Sequence, residues 1–72
     1  MPIRLSGKEI VSALSKGGWL VERVGGSHHV MRHPDGRHVS VPVHGNRPPA
    51  SWDAGSICRS VGLTARQLRD LL

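Results

Sequence analysis

The sequence predicts an α+β fold in the order α-β-β-β-α, a three-stranded antiparallel sheet with its helices on one face. Three observations carry that expectation. Apolar residues recur at helical spacing from Leu5 to Gly18, alternate in strand fashion from Trp19 to Val43, and return to helical spacing after Asp53. Turn signals fall where the period changes, at Gly17-Gly18, Gly25-Gly26 and Pro34-Asp35-Gly36. The length of 72 residues fits one domain over 1–72. A core of that size rarely supplies more than roughly 3–5 kcal/mol, so a stabilising partner is expected.

Each element has a local reason. Ser6-Gly7-Lys8-Glu9 is a capping box, with Leu5 and Ile10 placed as a hydrophobic staple across the helix start. Ile10, Val11, Ala13 and Leu14 form the apolar stripe, and Gly17-Gly18 ends the helix. Trp19 to Val24, Ser27 to His33, and His38 to Val41 read as three strands. Gly25-Gly26 reads as a two-residue turn, and Pro34-Asp35-Gly36 as a three-residue loop with a bulge at Gly36. Pro42 confines the third strand to an edge. After a loop rich in Pro and Gly, Asp53 caps a helix with Ala54, Ile57, Cys58 and Val61 inward, closed by Gly62. Thr64-Ala65-Arg66-Gln67 is a second capping box, leading into Leu68, Leu71 and Leu72.

Composition narrows the function. Ten Lys and Arg against five Asp and Glu give a net charge of +5, which suits an anionic partner. The chain is too short for a dinucleotide-binding unit with its substrate domain, or for a barrel enzyme. A single Cys58 leaves no disulfide framework or cysteine zinc site and suits a reducing cytoplasm. No run approaches the roughly 18–20 apolar residues of a membrane span, and Met1-Pro2-Ile3-Arg4 does not read as a signal peptide. All five histidines, His28, His29, His33, His38 and His44, lie in one stretch.

A Gly25-Gly26 turn pairs Arg23 with His28, Val21 with Val30 and Trp19 with Arg32. The second turn pairs Arg32 with His38 and Met31 with Val39. One sheet face then carries Leu20, Val24, His29, Met31, Val39 and Val41, the expected core face, on which Glu22 is out of keeping. The other carries Arg23, His28, Arg32 and His38 with Trp19, Val21 and Val30, and is expected to be open. Arginine forks suit phosphate oxygens, and a neutral imidazole beside phosphate suits a general base. Five dispersed carboxylates offer no metal-binding cluster, so a two-metal nuclease has no support, and no motif here calls for a cofactor. RNA supplies its own nucleophile in the 2′-hydroxyl. Other readings stay open at this point. A basic face also suits a non-catalytic RNA-binding module, a histidine-rich tract also suits metal, and Trp19, Val21 and Val30 also suit a protein partner. His29 and His33 read as packing or hydrogen-bonding residues, Trp19 as half-buried packing, and Cys58 as core.

Several motifs at characteristic spacing run through nearly the whole chain. They are Ser6-Gly7-Lys8-Glu9, Gly18-Trp19, Arg23, Gly26-Ser27-His28, His33-Pro34-Asp35-Gly36, Val41-Pro42-Val43-His44, Ser56-Ile57-Cys58-Arg59 and Gly62-Leu63-Thr64. In these the chain resembles the HicA-type toxins of bacterial HicA–HicB toxin–antitoxin systems. The resemblance implies a double-stranded-RNA-binding-domain-like fold, metal-free endoribonuclease action on mRNA that arrests translation, and a HicB-like antitoxin partner. It also implies that His28 is catalytic. The expected phosphate contacts are Arg23, Ser27, Arg32, His38 and His44, and the general acid lies among His38, His44 and water. Between Asn46 and Gly55 the chain departs from the family: Trp52-Asp53-Ala54 stands where relatives often carry a Gly-Thr-Leu-like helix start.

Overall fold

Helix α1 (Gly7–Lys16) begins where its capping box requires. The Glu9 amide donates to Ser6 Oγ at 3.2 Å, and the Ser6 amide donates to Glu9 Oε1 at 3.0 Å. Leu5 and Ile10 on either side of the cap are both buried, as a staple demands. The helix ends as Gly18 takes a positive φ of 96° and the Trp19 amide donates back to the Leu14 carbonyl at 2.9 Å. The computed structural model describes residues 5–43 and 51–72, with side chains from 55 onward in the second part.

The chain then forms β1 (Leu20–Gly25), β2 (His28–Arg32) and β3 (His38–Pro42), followed by α2 (Ser51–Val61) and α3 (Ala65–Leu71). The sheet is antiparallel in the order β1-β2-β3. This is the α+β arrangement the sequence predicts. α2 starts at Ser51, so Asp53 sits inside its first turn rather than capping it. Gly62 closes it at a positive φ of 71°, and the Thr64–Gln67 capping box opens α3 as expected.

The helices cover one face of the sheet. α1 contributes Ile10, Ala13 and Leu14, the sheet side contributes Trp19, Met31, Val39 and Val41, and α2 and α3 contribute Ile57, Val61 and Leu68. Burying one of the Val, Leu, Ile or Met side chains in this set stabilises by about 1.5–3 kcal/mol relative to exposure. Gly7 lets α1 come down on the end of β3: a Cβ there would collide with the Pro42 carbonyl oxygen and lie 2.9 Å from Val43 Cα. No helix among the described residues is long and apolar enough to cross a membrane.

Candidate nucleic-acid interface

The second turn behaves as its sequence dictates. The His33 amide donates to the Arg37 carbonyl and the Gly36 amide to the His33 carbonyl, both at 2.9 Å, and Gly36 has φ 99°. That is a three-residue loop closed by a glycine bulge, and it delivers the expected pairs Arg32 with His38 and Met31 with Val39.

The first hairpin corrects the sequence reading. Gly25 pairs with His28, so the turn residues are Gly26 and Ser27, one step later than Gly25-Gly26. Gly26 takes φ 56° while no non-glycine among the described residues has a positive φ. This meets the demand of a type II′ turn for glycine at its first central position. In consequence Arg23 lies opposite Val30 rather than His28, and the turn shift together with a register break further along β1 sets Val21 opposite Met31 rather than Val30 and Leu20, not Trp19, opposite Arg32.

A β-bulge between Val21 and Arg23 restores the fit further along β1. Strict alternation back from the Val24–His29 pair would aim Glu22 at the helices. The extra residue instead swings Glu22 onto the uncovered face and turns the preceding residues over. Trp19 is therefore core at 2% exposure, neither half-buried nor on the open face. Leu20, expected in the core, is 68% exposed; Val24, on the covered side, lies beyond the helices at 58%.

Pairing and alternation put Arg23, His28, Arg32, His38, Val30 and Ser40 on the uncovered face. His28, Arg23, Arg32 and His38 are all exposed. Within this face there are two stations. Arg23 and His28 flank Val30 at the Gly26-Ser27 end, and Arg32 and His38 pair at the opposite end. Four residue steps along β2 take His28 to Arg32, roughly 13 Å at about 3.3 Å per step. The Ser27 carbonyl accepts the Val43 amide at 2.6 Å, which ties the turn before His28 to the end of β3. His44, the next residue, lies outside the described residues, as does much of the Asn46–Gly55 departure.

At the far station Glu22 Oε2 lies 3.1 Å from His38 Nε2, and Glu22 Oε1 lies 3.8 Å from Arg32 Nη1. Sequence reasoning marked Glu22 only as out of keeping with the core face; a carboxylate among inward positions is itself the signal of a bulge.

The other described histidines, His29 and His33, lie away from the open face. His33 meets Trp19 edge-on with ring centroids 5.2 Å apart, and its Nδ1 accepts the Asp35 amide at 3.3 Å. His29 is half-buried on the covered side, with Nδ1 unpartnered among the described residues. Arg37 lies over the Trp19 ring at 5.3 Å, bonds Asp35 Oδ2 at 2.7 Å, and donates to the Val61 carbonyl at the end of α2 at 3.0 Å. The Arg37 amide first, then its guanidinium, holds the Asp35 carboxyl below the usual carboxylate range. Cys58 is half-buried against the core. Among the described residues no three His, Cys, Asp or Glu side chains gather as a metal-holding group.

Fold and site together define a small α+β protein with one sheet face packed under helices and the other bare and rich in Arg and His. The family model described as HicA toxin of bacterial toxin-antitoxin matches residues 7–63, most of the chain. The chain belongs to the HicA toxin family, and that membership implies an antitoxin partner. Comparison with curated proteins gave no match.

Proposed function

We propose that this toxin is a metal-independent endoribonuclease, a single domain over residues 1–72 that acts in the cytoplasm, cleaves mRNA and inhibits translation until a HicB-like antitoxin binds it. The observation that carries the reading is the bare sheet face, on which exposed His28 neighbours Arg23 across Val30 in a HicA-family chain. His28 is the general base. It takes the proton of the 2′-hydroxyl as that oxygen attacks the adjacent phosphorus, and the bond from phosphorus to the 5′ oxygen breaks. Arg23 holds the phosphate, and Ser27 adds a hydroxyl contact beside the turn that presents His28. The products are a 2′,3′-cyclic phosphate and a 5′-hydroxyl. The four-residue stagger between His28 and the Arg32–His38 pair argues that Arg32 and His38 serve a neighbouring backbone phosphate. The proton for the leaving oxygen then comes from His44 or water.

The test is cleavage of RNA by the purified chain in excess EDTA. Wild type should cut, leaving cyclic-phosphate ends. His28→Ala should lose on the order of 10²–10⁴-fold in rate while RNA binding stays within a few-fold. Strict dependence on an added divalent metal would falsify the mechanism. Intact RNA that is nonetheless retained in a salt-sensitive way would return the chain to the class of non-catalytic RNA-binding modules.

A further inference from the structure

We propose that Glu22 is a built-in competitor for the phosphate site formed by Arg32 and His38, so that a backbone phosphate must displace its carboxylate to bind there. The proposal deepens the reading of the open face as an RNA-binding surface and rests on it.

Three observations carry it. First, Glu22 is the one acidic residue in the three strands of a chain with net charge +5. Second, regular strand geometry would hide it under the helices, and the bulge between Val21 and Arg23 brings it instead to the face that carries Arg32 and His38. Third, its two oxygens address two different partners, His38 Nε2 at 3.1 Å and Arg32 Nη1 at 3.8 Å. A carboxylate divided in this way over an arginine and a histidine stands where two oxygens of a phosphate would stand.

The balance of strengths favours exchange over permanent pairing. The Glu22, Arg32 and His38 side chains are 42%, 56% and 50% exposed, so water and salt weaken the pairs and little fold stability depends on them. A phosphate diester adds fork-matched oxygens to Arg32 and meets a site whose donors are already held together. The displaced carboxylate needs no new partner, since it stands in solvent. The consequence for function is selectivity. A strongly basic surface without Glu22 would hold any polyanion; with it, the second phosphate contact forms only when engagement at the His28 and Arg23 station offsets the exchange.

The experiment uses the full chain with His28→Ala, which keeps RNA intact, with Glu22 retained or replaced as Glu22→Gln. Inorganic phosphate is titrated while the His38 imidazole and Arg32 guanidinium NMR signals are followed. The Gln chain should saturate at roughly two- to ten-fold lower phosphate than the Glu chain, with the shifts centred on Arg32 and His38. Its affinity for a single-stranded RNA should rise by a similar factor, with a steeper salt dependence. Glu22→Ala, which cannot hydrogen-bond His38 at all, should reproduce the Gln result. Equal phosphate midpoints in Glu, Gln and Ala chains would overturn the proposal. So would weaker binding in the Gln and Ala chains, the sign of a carboxylate that organises the site instead of competing for it. Failure of the wild type to cut RNA would count against the ribonuclease and leave the phosphate comparison intact.

Discussion

Met31 and Arg32 are neighbours in β2, yet one is fully buried and the other stands in solvent. The two faces of this sheet follow different rules. On the covered face, Trp19, Met31, Val39 and Val41 share one core with residues of three helices, and each position is fixed by volume and apolarity. On the bare face, charge and imidazole chemistry replace packing, and the side chains have room to exchange partners. A strand repeat of two makes this division possible in a chain of 72 residues, because every second residue is free of structural duty.

The contrast between the two faces is largest at those neighbours. Met31→Ala should lower the unfolding free energy by about 2–5 kcal/mol, whereas Arg32→Ala should change it by no more than roughly 0.5 kcal/mol. Denaturant titration of both variants decides it, and comparable losses would mean that the bare face is packed after all. Next in size is Gly7→Ala. Its Cβ would strike the Pro42 carbonyl oxygen, forcing α1 away from β3. A cost of roughly 1–3 kcal/mol is expected by the same measurement, and an unchanged midpoint would show that α1 does not seat on that backbone.

The smallest effect concerns the turn joining β2 to β3. Asp35 has a folded-state pKa below its ordinary value, through the Arg37 amide and guanidinium. Its stabilising contribution is therefore complete above the usual carboxylate range and disappears as pH falls through the lowered folded value. The Tm of wild type should exceed that of Asp35→Asn near neutrality and converge with it in acid. Curves that diverge toward low pH would reverse the assigned sign.

How much of this was legible in the sequence depends on the kind of signal. Capping boxes at Ser6 and Thr64 are local chemistry, and the observed helices begin there. The Pro34-Asp35-Gly36 loop also carries its own geometry, and its register followed. The first hairpin was harder, because Gly25-Gly26-Ser27 accommodates a turn in either of two frames. A shift of one frame moves every partner of β1. The bulge then hid behind that shift: Trp19 and Val21 look like open-face residues, and Leu20 like core, only if β1 is regular. Glu22 carried the contrary signal, since a carboxylate does not enter a core without a partner. The residues grouped on the open face, Arg23, His28, Arg32 and His38, still share it in the fold. The pairing of Arg23 directly with His28 does not hold, and His44 lies outside the described residues.

The bulge has one more effect, on the company the chain keeps. β1 is at an edge of the sheet, and Leu20, Val21 and Val24 are exposed along it. A straight apolar edge of this kind invites a second chain to add a strand and seeds aggregation. The irregularity at Glu22, midway along β1, interrupts the row of evenly spaced amides and carbonyls that such an added strand would need. It also sets two charged residues, Glu22 and Arg23, midway along that strand. The residue that corrects the register of the strand thus also guards its free edge against unprogrammed pairing.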